Sequence, residues 1–257
     1  MKEIVVFTGC FIAGTLVRIQ RNPDLPHKNW KAIEDIQVGD FVLSRPKDGS
    51  EIQEYKPVIN TFSLTKKPIW VIEFAELVEN IREHDSSSHT IIATPNHLFW
   101  VSGSASCSLE LNSFESSTGQ WYRLDQLDSG DVLQDSTGKL YVVLFTIQLY
   151  QTEEAHIAWA RDPDDKVDEN GWKFDLEKIK QTGRIVGNYS FNSYRKSDEY
   201  GTELDSDKKY MPYLADVYSI DVQDYYTYFV GKATGIWVHS INCEVPKNPQ
   251  AQENLYG

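Results

Sequence analysis

Cysteine is scarce in this chain. Cys10, Cys107 and Cys243 are the only three in 257 residues, an odd number without CxxC spacing, which argues against a disulfide framework and against a structural zinc site. Basic residues are in deficit too. The 25 Lys and Arg stand against 38 Asp and Glu, and a net charge of -13 works against nucleic-acid binding, whose usual footprint is a basic stripe. No apolar run approaches the ~18 residues of a membrane-spanning helix, so a soluble chain with no membrane partner is expected. Helical periodicity is nearly missing, with Asp175–Gln181 the one candidate. No motif calls for a metal or a cofactor.

What is present reads as strand. The chain is 40% hydrophobic and 12% aromatic, enough for one sizeable core or two small ones. Segments 17–20, 41–44, 57–62, 69–74, 90–94, 98–101, 140–150, 217–222, 225–230 and 236–239 are rich in β-branched and aromatic residues, which predicts an all-β domain. Residues 33–42 and 124–133 also repeat one another at an offset of 91, both reading apolar-acid-x-apolar-x-x-Gly-Asp-apolar-apolar. Each copy predicts a helical turn with two inward apolar residues, a Gly-Asp turn, and a strand entering the sheet, so a duplicated unit with pseudo-two-fold symmetry is expected. Residues 79–88 and 102–119 are polar and Ser-rich and read as surface loops. Residues 151–210 carry 14 acids and 10 bases and read as an ordered peripheral insertion that offers a protein-contact surface.

The chemistry begins at Gly9-Cys10-Phe11-Ile12-Ala13-Gly14-Thr15-Leu16-Val17. A thiol on Cβ reaches the carbonyl carbon of the preceding residue through a five-membered ring, with no diffusion step. Two plainer readings compete. A lone cysteine is commonly a small buried hydrophobe, and Phe7-Thr8-Gly9-Cys10 has the outline of a lipoprotein signal, although the apolar run before it is far short of the ~7–15 residues required. Further on, Thr94-Pro95-Asn96-His97 sits at a strand end. There a His can protonate a leaving nitrogen and a Thr can fix or polarise an amide.

The last strands, Asp216 to Gly231 and Gly235 to Cys243, complete a set of four ordered motifs. CFIAGTLV, TPNHLFWV, VYSIDVQDYYTYFVG and GIWVHSINC together resemble the Hint superfamily of hedgehog autoprocessing domains, inteins and bacterial intein-like domains, with the bacterial intein-like and pretoxin type nearest. The resemblance covers about 10–150 and 216–240 and implies a disc-like all-β fold that brings both chain ends to one site. It divides the chain into a flank (1–9), a Hint domain (10–240, insertion about 151–210) and a second flank (241–257). It further implies that Cys10 attacks the Gly9 carbonyl to give a thioester, assisted by the Thr94, Asn96 and His97 loop, with the flanking polypeptide as partner in cis.

Departures limit the analogy. The family ends in His-Asn, where the Asn amide forms a succinimide and cuts the C-terminal junction; this chain has His239-Ser240, and a hydroxyl has no amide nitrogen. Asn242 and Cys243 form an alternative terminus with a following nucleophile, but the alternation Ile236, Val238, Ser240 favours Ser240 in the Asn position. Ser219 stands where the family often has an acid, and Tyr226 where it often has a His. The expected function is a single-turnover autoprocessing domain acting on Gly9–Cys10, with an impaired C-terminal step. The alternative is a degenerate, non-catalytic Hint domain presented within a secreted or surface bacterial protein of the toxin type.

Overall fold

A computed structural model describes residues 9–21, 29–79, 88–162, 170–190, 211–231 and 235–240. The strands are β1 (Phe11–Ile12), β2 (Leu16–Arg18), β3 (Trp30–Ala32), β4 (Phe41–Ser44), β5 (Glu54–Pro68), β6 (Trp70–Glu76), β7 (Ser88–Ala93), β8 (Leu98–Ser104) and β9 (Glu115–Arg123). They continue as β10 (Asp131–Gln134), β11 (Leu140–Gln148), β12 (Tyr150–Gln151), β13 (Ile157–Arg161), β14 (Gly171–Asp175), β15 (Gly187–Ser190), β16 (Leu214–Val222), β17 (Thr227–Val230) and β18 (Ile236–His239). Among the described residues one α-helix, α1 (Leu176–Thr182), follows β14. The chain is all-β, as its composition predicts.

The main sheet runs β3-β2-β17-β18-β8-β10-β11-β6-β7-β1-β16-β5-β4, with β9 paired to β8. Its second part is palindromic about the contact of β7 with β1: β11 answers β5, β6 answers β16, and β10 answers β4. The duplicated sequence supplies the matching turns. Residues 33–35 and 124–126 each form a 3-10 turn with buried Ile33 and Ile36 in one copy and Leu124 and Leu127 in the other. In both copies the aspartate that follows the glycine accepts a bond from a backbone N–H three residues earlier, Gln37 to Asp40 at 2.8 Å and Asp128 to Asp131 at 2.9 Å. Gly39 and Gly130, at φ 94° and 102°, donate across to Val58 and Val143. A left-handed turn residue is needed here, and glycine adopts it without a Cβ penalty.

One expectation is corrected. Residues 102–119 are not a loop throughout, because β9 begins at Glu115 and pairs with β8 from Leu98–Arg123 to Ser104–Glu115. The first half of β9 is exposed, so its polar composition hides a strand. Within 151–210, the described residues form a second sheet, β12-β13-β14-β15, plus α1, which is capped by the Asp175 side chain and ended by Gly183 at φ 63°. This unit shares a core with the main sheet: Ala158, Ala160, Phe174 and Ile179 pack in one cluster with Cys10, Ile12, Ile92 and Val217. A Cβ on Gly14 would sit 2.5 Å from the Ile179 carbonyl oxygen, so glycine is what lets α1 press against the turn after β1.

Candidate active site

The turn between β7 and β8 is closed by the Thr94 carbonyl, which accepts from the His97 N–H at 3.1 Å, with Pro95 in the position where its fixed φ suits a turn. The second copy of the repeat backs it: Leu124 N–H donates to the His97 carbonyl (2.8 Å) and Asp125 N–H to the Pro95 carbonyl (3.0 Å). Cys10 runs alongside. Its N–H donates to Thr94 Oγ1 at 2.9 Å, and its carbonyl accepts from the Thr94 N–H at 2.9 Å. The amide nitrogen of the Gly9–Cys10 bond therefore rests on a buried hydroxyl.

His97 is fully buried, with its ring 4.0 Å from the Phe11 ring. A Cβ on Gly9 would lie 2.7 Å from both the His97 Cα and its Nδ1, so the carbonyl-bearing residue of the candidate bond is pressed against the imidazole. Burial pulls the His97 pKa down to about 3, with the Gly9 backbone partly opposing and His239 adding to the shift. The ring is thus neutral at working pH. The Gly9 backbone is near enough to favour the charged form, yet neither ring nitrogen completes a hydrogen bond, and the geometry leaves both open. The Cys10 thiol is also fully buried, and burial pushes its pKa up to about 12, an effect that Lys67 partly offsets.

The C-terminal end reaches the same place. β18 lies between β17 and β8, with Val238 opposite Phe99 and Thr227 opposite His239. Ser240 N–H donates to the Tyr226 carbonyl at 2.6 Å, which extends the ladder by one step. His239 is buried, crossed at 5.0 Å by the edge of Trp121, with Nδ1 2.5 Å from the Ser240 carbonyl oxygen; burial lowers its pKa. The Ser240 hydroxyl donates at 3.5 Å to Asp221 Oδ1, both groups being buried.

Of the residues singled out from sequence, Gly9, Cys10, Thr94 and His97 form one contact group, and His239 with Ser240 forms a second that meets it through the electrostatic contact of the two imidazoles. Asn96 is half-buried in the turn and takes no part in the hydrogen bonds given above. Asn242 and Cys243 lie outside the described residues. Sequence reading missed Asp221: the acid of this strand stands two residues beyond Ser219, on the same face by strand alternation. The signal was the run Val217, Ser219, Asp221 along one face of β16.

Among the described residues no group of three His, Cys, Asp or Glu side chains could hold a metal ion, and no helix is long and apolar enough to cross a membrane. No family model and no curated protein matches the chain. Solved structures do resemble it. A bacterial intein-like domain from Clostridium thermocellum is 18% identical, with a TM-score of 0.43 over 90% of this chain and 98% of that one. The Ssp DnaB mini-intein variant M86 is 12% identical, with a TM-score of 0.46 over 94% and 99%. A DnaB intein from Synechocystis sp. PCC 6803 is 12% identical, with a TM-score of 0.43 over 91% and 99%. The chain is similar along nearly its whole length to inteins and an intein-like domain.

Proposed function

We propose that residues 10–240 are a self-processing domain of the Hint type, and that Cys10 converts the Gly9–Cys10 amide into a thioester in a single turnover. The Cys10 sulfur bonds to the Gly9 carbonyl carbon, the C–N bond breaks, and the thiol proton ends on the Cys10 nitrogen, which leaves as a neutral amine. His97, neutral and with open nitrogens against Gly9, takes the thiol proton and returns it to nitrogen. Thr94 Oγ1 accepts from the amide N–H at the start, and a hydroxyl can turn to donate once the nitrogen lone pair is released. The observation that carries the reading is this placement of a hydroxyl and an imidazole on the two sides of one peptide bond.

The thioester is higher in energy than the amide, so the rearrangement is drawn forward only when water or a thiol removes the acyl group. The polypeptide upstream of Cys10 is the substrate, in cis. At the other end, His239 polarises the Ser240 carbonyl, but Ser240 has no amide nitrogen with which to close a succinimide. The C-terminal junction is therefore expected to stay intact. The test is to incubate the purified chain with a small thiol and weigh it. A fragment beginning at Cys10, missing in Cys10→Ala, supports the reading; an intact mass after days at several pH values sinks it.

A second reading, a non-catalytic Hint-type module, is favoured by the same thiol. With a pKa of about 12, about one thiol in 10⁵ is ionised at neutral pH. On that reading Cys10→Ala changes nothing measurable, so the same experiment separates the two.

A further inference from the structure

Two buried hydroxyls beside Cys10 have no hydrogen-bond partner. The β1–β16 register sets Phe11 against Tyr218 and Ile12 against Val217, and its next step brings Ser219 opposite Cys10, on the side away from Thr94. Residues directly opposed in an antiparallel pair project to the same face, with Cβ atoms about 4.5–5.5 Å apart. Ser219 is 1% exposed and Tyr228 fully buried, with the Tyr228 ring edge-on to Phe11 at 6.2 Å and its backbone paired with Val238. The Ser219 Oγ and Tyr228 Oη approach each other, yet neither completes a hydrogen bond. Unpaired buried hydroxyls destabilise a fold, and two of them converging on a nucleophile point to a use.

We infer that Tyr228, with Ser219 between it and the sulfur, is a positioning pair that donates hydrogen bonds toward Cys10 Sγ when that atom carries negative charge. This rests on the reading above, in which Cys10 is the nucleophile. Burial holds the phenol far above its ordinary pKa, and the nearby Cys10 pushes it further, so Tyr228 stays protonated as a donor wherever the thiol could react. Outside the hydroxyl pair, Lys67 acts on the thiol and favours the thiolate. The strand's acid, Asp221, is engaged with Ser240. The hydroxyl pair thus takes up, as neutral donors, the space beside the sulfur.

Tyr228→Phe keeps the ring and removes one unpaired hydroxyl. The titration of Cys10 is read from its ¹³Cβ resonance, assigned by its loss in Cys10→Ala. Its midpoint is expected to rise, thiol-dependent cleavage to fall about tenfold, and the melting temperature not to fall. Ser219→Ala is expected to shift the titration in the same direction, and the double variant by no more than the larger single, as for groups acting in one chain. An unmoved Cys10 titration in Tyr228→Phe, whatever the melting temperature does, overturns the inference. A moved titration in a chain that never cleaves leaves the donor pair standing and defeats the splicing-type reading instead.

Discussion

The two copies of the repeat build one backbone frame and fill it differently. In each, a 3-10 turn donates to the carbonyl of the residue just before the next strand: Ile33 N–H to Thr15 at 2.8 Å, and Leu124 N–H to His97 at 2.8 Å. Thr15 is therefore the structural counterpart of His97. Its buried hydroxyl is unpaired, and the glycine before it is fixed by Glu34, whose carboxylate takes the Gly14 N–H at 2.8 and 3.0 Å. In the other copy an imidazole occupies the place and faces Gly9. The aspartates differ too, since Asp40 is paired with Lys31 at 2.7 Å, whereas Asp131 has Tyr122 in the matching position and its carboxyl is raised by burial. A duplicated frame positions a residue twice; chemistry needs only one of the two places.

The sharpest way to break this comparison is to exchange its unequal members. His97→Ala is expected to lower thiol-dependent cleavage by about 100-fold or more, the usual contribution of a positioned acid–base group. Thr15→Val is expected to leave the rate unchanged; both are followed by mass spectrometry over time. Gly9→Ala drives a Cβ into His97 and is expected to slow cleavage about tenfold or more, because a small misplacement of reacting groups is costly. Equal rates for the parent chain and Gly9→Ala would remove His97 from the bond.

Protonation offers a third comparison, between acid and neutral solution. The His97 pKa is about 3 when folded and ~6.5 when unfolded, so the unfolded chain binds the proton first as pH falls. The stability that His97 contributes is complete above ~6.5 and is lost on the way down to the folded value, about 2 kcal/mol by pH 5. Urea midpoints at the two pH values should show this loss in the parent chain and a smaller one in His97→Gln. The smallest effect concerns the turns themselves. Asp40→Asn and Asp131→Asn should each cost about 1 kcal/mol in chemical denaturation, but only Asp131→Asn should also slow cleavage, because its turn braces Pro95 and His97.

Much of this arrangement was legible in the sequence because it depends on local rules. The Gly-Asp repeat, the four ordered motifs and the strands that alternate or carry β-branched residues each follow from patterns a few residues long. The helix after Asp175 was legible for the same reason, its cap and its terminal Gly183 being local features. Elements whose stability comes from partners were harder to see. β9 reads as a Ser-rich loop until β8 supplies the other half of its ladder. The short strands β13 to β15 are hidden in a charge-rich segment, and the packing of Ile179 into the Cys10 cluster is wholly tertiary. Asp221 is not legible from the family resemblance, which puts the acid at Ser219; the shift of two residues keeps the face and changes the neighbour from Cys10 to Ser240.

In the proposed reaction, the bond between the Cys10 N–H and Thr94 Oγ1 has an outcome beyond the first step. Once the acyl group has moved to sulfur, this nitrogen is a primary amine held in a dry pocket, beside a hydroxyl that cannot neutralise a positive charge. An amine kept uncharged remains a good nucleophile and stands one ring closure from the carbonyl it has just left. The pocket therefore favours return over departure, and net cleavage depends on an outside thiol or water arriving before the amine recaptures its acyl group.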